Sequence, residues 1–191
     1  MIKSFLVSSL IITTIFIVIN CSAEPENNEQ TAAKKEQGRI SKVTWLSFNE
    51  GLEKAAKEKK NILIDFYTDW CHWCKVLDEK TFRDPAVARK LSERFVTIRI
   101  NAESKTESVR YKGKNFTNIE LTRAFRITGF PSLGFLDQNG DVITLVPGYV
   151  PPETFIYILD YIEKECYKTK MSFEEFMKRK GECEEDNGKK E

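Results

Sequence analysis

The chain has 191 residues, 41% hydrophobic and 31% charged, enough to close one core with a leader and a tail besides. Its 30 Lys and Arg nearly cancel its 29 Asp and Glu. No broad basic field points to nucleic acid, so partners must be argued from a site.

Met1-Ile2-Lys3 supplies one cation, and an apolar run without acidic residues follows from Phe5 to Ile19. That order is the pattern of a secretory leader over 1–20. The run is also at the lower edge of what spans a bilayer, so a retained anchor is the alternative. Val18-Ile19-Asn20-Cys21 resembles a bacterial lipobox, which makes Cys21 the expected lipidation site and a membrane the expected attachment. Residues 21–39 are rich in Glu, Asn, Gln and Lys without an apolar period and read as a disordered tether. The folded part is expected on the periplasmic or outer side of a bacterial membrane.

From Ile40 the pattern is that of one domain, 40–166, followed by an extension and tail, 167–191. Phe48 to Lys60 carries helix formers and ends in a basic cluster. Ile62-Leu63-Ile64-Asp65-Phe66-Tyr67 is a buried strand by composition, and Phe95 to Ile100 is a second. Lys75 to Lys80 is helical in character, and Asp84-Pro85 opens a further helix through Ser92. Glu103 to Thr117 is polar and broken by Gly113, which predicts a loop or insertion. Asn118 is a plausible N-cap for a helix to Phe125. Ser132 to Leu136 and Asp141 to Val146 flank Asn139-Gly140, a hairpin signal. Pro152 to Lys164 has amphipathic spacing, and Ser172 to Lys180 suits a short final helix. The order predicts an α/β fold in which helices flank a mixed central sheet.

Cys71-His72-Trp73-Cys74 falls after the first strand and opens a helix. Unsatisfied N–H groups and the helix dipole there favour a thiolate on Cys71. With the second sulfur one turn on, the chemistry is attack by Cys71 on a disulfide and resolution by Cys74. Zinc would need four ligands, yet the only histidine, His72, lies inside the motif and Cys166 and Cys183 make no second CxxC. No metal or other cofactor is expected. Five cysteines less Cys21 leave an even number in a compartment that permits disulfides. Cys166 and Cys183 then form a structural bridge, remain free thiols or serve as a second relay.

Leu63 through Lys75 resembles the active-site segment of the thioredoxin superfamily, and the resemblance extends from Trp45 to Phe176. Lys80-Thr81-Phe82-Arg83-Asp84-Pro85-Ala86-Val87 is similar to the C-terminal domain of transmembrane thiol:disulfide interchange proteins. Gly148 to Phe155, with Tyr167-Lys168-Thr169, looks more like periplasmic thioredoxins associated with sulfur oxidation. The resemblance implies a thioredoxin-like fold with Cys71 and Cys74 as catalytic dithiol and Asp65 as proton carrier for Cys74. Arg99 is either that carboxylate's basic partner or an exposed strand charge. Pro131 matches the superfamily's cis-proline, and Trp70, His72, Trp73 and Phe130 join it as substrate contacts. Protonated His72 would make the pair more oxidising, while a ring turned to solvent would do little. The implied function is thiol–disulfide exchange with protein substrates, reducing in direction and fed by a membrane dithiol carrier. A client-binding module without turnover, an oxidase and an isomerase are the alternatives.

Overall fold

The computed structural model describes residues 42–183. The expected leader over 1–20, the expected tether over 21–39 and the expected lipidation at Cys21 fall outside the described residues. Among those described, no helix is long and apolar enough to cross a membrane.

The sheet has four strands in the order β2-β1-β5-β6. Strand β1 (Asn61–Tyr67) runs parallel to β2 (Phe95–Asn101), and β5 (Ser132–Leu136) lies antiparallel on its other side. The outer strand is β6 (Val142–Pro147), antiparallel to β5. A mixed sheet of this kind needs cover on both faces, and alternation along β1 distributes it. Ile62, Ile64 and Phe66 face the cluster completed by helix α1 (Phe48–Glu58) and helix α4 (Asn118–Ala124). Leu63 faces the opposite cluster, with Leu77, Leu91 and Phe155. Asp65 shares Leu63's parity and so points toward that second face.

The second face is covered by three consecutive helical pieces and a later one. Helix α2 (His72–Val76) runs into a π-helical segment, Leu77–Phe82, and helix α3 follows at Pro85–Arg94. The expected helix at 75–80 is thus real but becomes π-helical from Leu77; at the end of that segment Thr81 bonds the Val150 carbonyl at 2.6 Å. Asp84 caps α3 through the N–H groups of Ala86 and Val87. Helix α5 (Pro152–Glu163) completes the layer.

Two local expectations are corrected. Residues 103–117 are not a plain loop: β3 (Ser108–Tyr111) and β4 (Lys114–Thr117) form a separate hairpin. Lys112 and Gly113, both at positive φ, make its two-residue turn. Val109 is buried, and the Tyr111 hydroxyl bonds the Gly140 carbonyl at 2.9 Å. The N-cap of α4 is Thr117 rather than Asn118, because Thr117 and Glu120 form a reciprocal capping box. Asn118 is buried instead and donates to the Glu107 carboxylate.

The C-terminal extension packs on α5. A 3₁₀ turn, Cys166–Thr169, leads to helix α6 (Phe173–Lys178), whose Phe176 is fully buried. The Tyr161 hydroxyl bonds the Met171 carbonyl at 2.5 Å, and a Cys166–Cys183 disulfide closes the segment.

Candidate active site

Chain direction places the dithiol at the C-terminal end of β1. Residues 68–70 carry the chain from β1 to Cys71, which occupies the N-cap of α2 in extended backbone. Cys71 and Cys74 are disulfide-bonded, with Cα atoms 5.3 Å apart. The Cys74 N–H donates to Cys71 Sγ at 3.0 Å. The orphan donor of a helix start is therefore already aimed at the sulfur that would carry negative charge after reduction. Both cysteines are largely buried, whereas Trp70 and Trp73 beside them are 68% and 54% exposed.

Pro131 follows a cis peptide bond from Phe130. Because Ser132 pairs with Phe66 across β5 and β1, Pro131 emerges at the same sheet end as the dithiol. The rings of Phe130 and Trp70 meet edge-on at 6.3 Å, joining the two loops. On the other side of the motif, Trp73 lies against Tyr149 at 5.6 Å and His72 against Trp73 at 5.7 Å. His72 is exposed. The structure thus brings Trp70, His72, Trp73, Phe130 and Pro131 to one end of the sheet around the two sulfurs.

Below this surface Asp65 is buried, and Arg99 is its partner. The pairing of β1 with β2 sets Asp65 opposite Arg99, which decides between the two readings of that arginine. Its Nε and Nη2 approach Asp65 Oδ2 at 3.0 and 2.9 Å, and Nη2 also reaches Asp78 Oδ2 at 2.7 Å. The guanidinium lies over the Tyr67 ring at 4.6 Å and the Trp45 ring at 5.1 Å, a geometry that suits a planar cation. Asp65 Oδ1 has no partner among the described residues. Burial pushes the Asp65 carboxyl up to about 7, outweighing the nearby Arg99 charge, and the Asp78 carboxylate adds to the rise. A group divided between its two protonation states near neutrality can take up or release a proton.

Four participants were not singled out by sequence. Asp78 comes four residues after Cys74, a helical spacing that was readable. Glu103 accepts the Trp70 indole N–H at 2.9 Å; Trp45 and Tyr149 complete the stacking partners. Their roles arise from loop placement, for which no local sequence signal exists.

A disulfide-bonded sulfur pair at the junction of a central strand and a helix, on this mixed sheet, is the arrangement of the thioredoxin fold. The family model described as Thioredoxin-like domain matches residues 48–163, and the chain belongs to that family. Among relatives, the thiol:disulfide interchange protein DsbD of Vibrio vulnificus strain YJ016 is 30% identical over 129 residues, covering 64% of this chain and 20% of the relative. The chain therefore spans about a fifth of that relative's length. Spermatogenesis-associated protein 20 of Homo sapiens is 33% identical over 66 residues, covering 34% and 8%. Among solved structures, a thioredoxin-fold protein from Helicobacter pylori superimposes with a TM-score of 0.56 at 20% identity, over 76% of this chain and 92% of that one. A thioredoxin from Thermus thermophilus gives 0.52 at 22%, over 63% and 87%. At those identities the likeness speaks for the fold.

Proposed function

We propose that this protein reduces disulfides of client proteins outside the cytoplasm, held to a membrane through Cys21 and recharged by a membrane dithiol carrier. The observation that carries the chemistry is the Cys71–Cys74 pair at a helix start, with Cys71 Sγ accepting the Cys74 N–H. In the reduced protein the Cys71 thiolate attacks a client disulfide. A bond forms between Cys71 and one client sulfur, and the other client sulfur leaves as a thiolate. Asp65 then accepts the Cys74 proton, and the Cys74 thiolate attacks Cys71 Sγ. The Cys71–Cys74 disulfide closes and the second client sulfur departs; two electrons have passed to the client. The carrier's dithiol reverses the sequence and restores the reduced pair. Trp70, His72, Trp73, Phe130 and Pro131 line the approach and contact the client. The reducing direction and the location rest on the leader-like N-terminus and on kinship with thiol:disulfide interchange proteins.

A Cys74→Ser variant cannot resolve the intermediate, so it is expected to accumulate a client joined to Cys71, visible as a reducible adduct on non-reducing gels. Reduction of a small disulfide, glutathione disulfide, should be lost in Cys71→Ser and kept in Cys166→Ser; equal activity in both would defeat the assignment. A standard potential near the strong-oxidant end, about −120 mV, would overturn the reducing direction. Complete absence of trapped adducts would leave a binding module in its place.

A further inference from the structure

Among the described residues, the sheet is open along β6. The outer side of β2 is bonded by the preceding segment, through Leu46 N–H to the Thr97 carbonyl at 2.9 Å and Arg99 N–H to the Leu46 carbonyl at 3.2 Å. The outer side of β6 has no strand beside it among the described residues, and Val142 at its start is 47% exposed. Such an edge is a template for a further strand. Beside it runs a groove of about 610 Å³ between β6, α5 and the C-terminal extension. Ile143 and Val146 form one wall, Tyr167 and Phe173 of the extension the other, and Ile158 lies between them. No charged side chain is among its described lining residues; Thr144 and Thr154 supply the non-aromatic hydroxyls.

At one end the groove is lined by Tyr149, whose ring lies on Trp73 at 5.6 Å. Trp73 stands between the two redox cysteines, so groove and dithiol share one continuous aromatic surface. At the other end the extension is fixed by the Cys166–Cys183 disulfide and by Phe173 against Tyr161 at 5.6 Å. The wall is therefore built, not incidental.

We infer that this groove is a second substrate subsite, which takes an extended, uncharged, apolar stretch of the client polypeptide while the client's disulfide is at Cys71. The inference rests on the oxidoreductase reading and deepens it. Continuity with the redox surface, the absence of charge and the open strand edge all select the same occupant. A charged segment would lose hydration there without a partner. Clients whose disulfides are accessible to reduction are incompletely folded and expose such stretches.

The test compares a protein disulfide with a small one. Ile143→Arg and Thr154→Arg each put a charge into the groove from a half-buried position. Expected is a loss of about tenfold in kcat/KM on insulin, the scale set by losing one apolar contact, with reduction of glutathione disulfide unchanged. A cysteine-free apolar nonapeptide should likewise compete with insulin on the unaltered protein and leave glutathione disulfide reduction alone. That second arm does not depend on the variants folding. Insulin rates equal to the parent in both variants, an equal fall on both substrates, or no competition by the peptide overturns the subsite. A concentration-dependent dimer that the arginines dissolve would assign the groove to a second copy and also overturn it. If the unaltered protein reduces neither substrate, the oxidoreductase reading fails first, which keeps the two failures apart.

Discussion

A carboxyl group buried within a strand must be paired or neutral, and Asp65 has a share of each. Arg99 supplies the pair, yet burial holds the carboxyl up at about 7 against an ordinary 3.8. The consequence for stability has a definite sign. A raised folded pKa means that the native state keeps a proton which the unfolded chain has released above pH 4 or so. The stability linked to that proton is complete below the unfolded value and is lost as pH rises through about 7. Asp65→Asn removes the titration. Its stability relative to the parent should therefore climb between pH 5 and 8, by on the order of 2 kcal/mol, a tenfold change in proton affinity being worth about 1.4 kcal/mol. Urea midpoints across that range measure it; parallel profiles for the two proteins would refute it. The same variant should slow resolution of the mixed disulfide by at least about tenfold. Arg99→Met acts in the opposite sense on the pair. It leaves Asp65 and Asp78 without their shared cation and should cost about 2 kcal/mol at pH 8 and less at pH 6, where Asp65 escapes by protonation. A loss equal at both pH values would show that Arg99 contributes through its stacking on Tyr67 and Trp45 alone.

At the scale of elements, the parts most legible in the sequence were those whose reason is local. β1 is a run of β-prone apolar residues, Pro85 and Asp84 mark a helix start, and Asn139-Gly140 marks a turn between strands. The hairpin at 108–117 was not legible because its strands are short and polar and gain their order elsewhere. Val109 is buried among residues far away in sequence, and Arg110 N–H bonds the Asn49 side chain at 2.9 Å. Lys112-Gly113 was the available signal, a two-residue turn of the kind that needs positive φ. The partnership of Asp65 with Arg99 required the strand register, which composition alone does not supply. A similar close approach explains Gly51 in α1. A Cβ there would lie 2.2 Å from Ile98 Cγ1 and 2.4 Å from Cδ1, so the helix can rest on β2 only with hydrogen at that position. Gly51→Ala should gain helix propensity and still destabilise by about 1–3 kcal/mol through overpacking. Thermal melts test it together with Ile98→Ala: the double variant should lose less than the sum of the two single losses. Additive losses would mean that α1 shifts freely on the sheet.

At the scale of the whole molecule, the two disulfides sit in opposite surroundings. Cys71–Cys74 lies under a rim of exposed aromatics, while Cys166 has no accessible surface and its bridge joins the 3₁₀ turn after α5 to the partly exposed Cys183. The second bridge closes a loop with a sequence separation of 17. By loop entropy it is worth about 3 kcal/mol to whatever unfolds between its ends. That unit is the extension rather than the domain, because Cys166, Met171 and Phe176 form a small cluster of their own, joined to the main core through Tyr161 and Phe173, which pack against both. Cys166→Ser/Cys183→Ser should therefore leave the main unfolding midpoint little changed and open the extension locally. Limited trypsin digestion reads this directly: cleavage near Lys168, Lys170 and Lys178 should accelerate by about 100-fold, the equilibrium equivalent of roughly 3 kcal/mol. Cys71→Ser should cut at the parental rate. If the double variant resists trypsin as well as the parent does, packing of Phe176 alone holds the extension. If instead its global midpoint collapses, the extension belongs to the cooperative core, and the groove wall it provides is as rigid as the sheet.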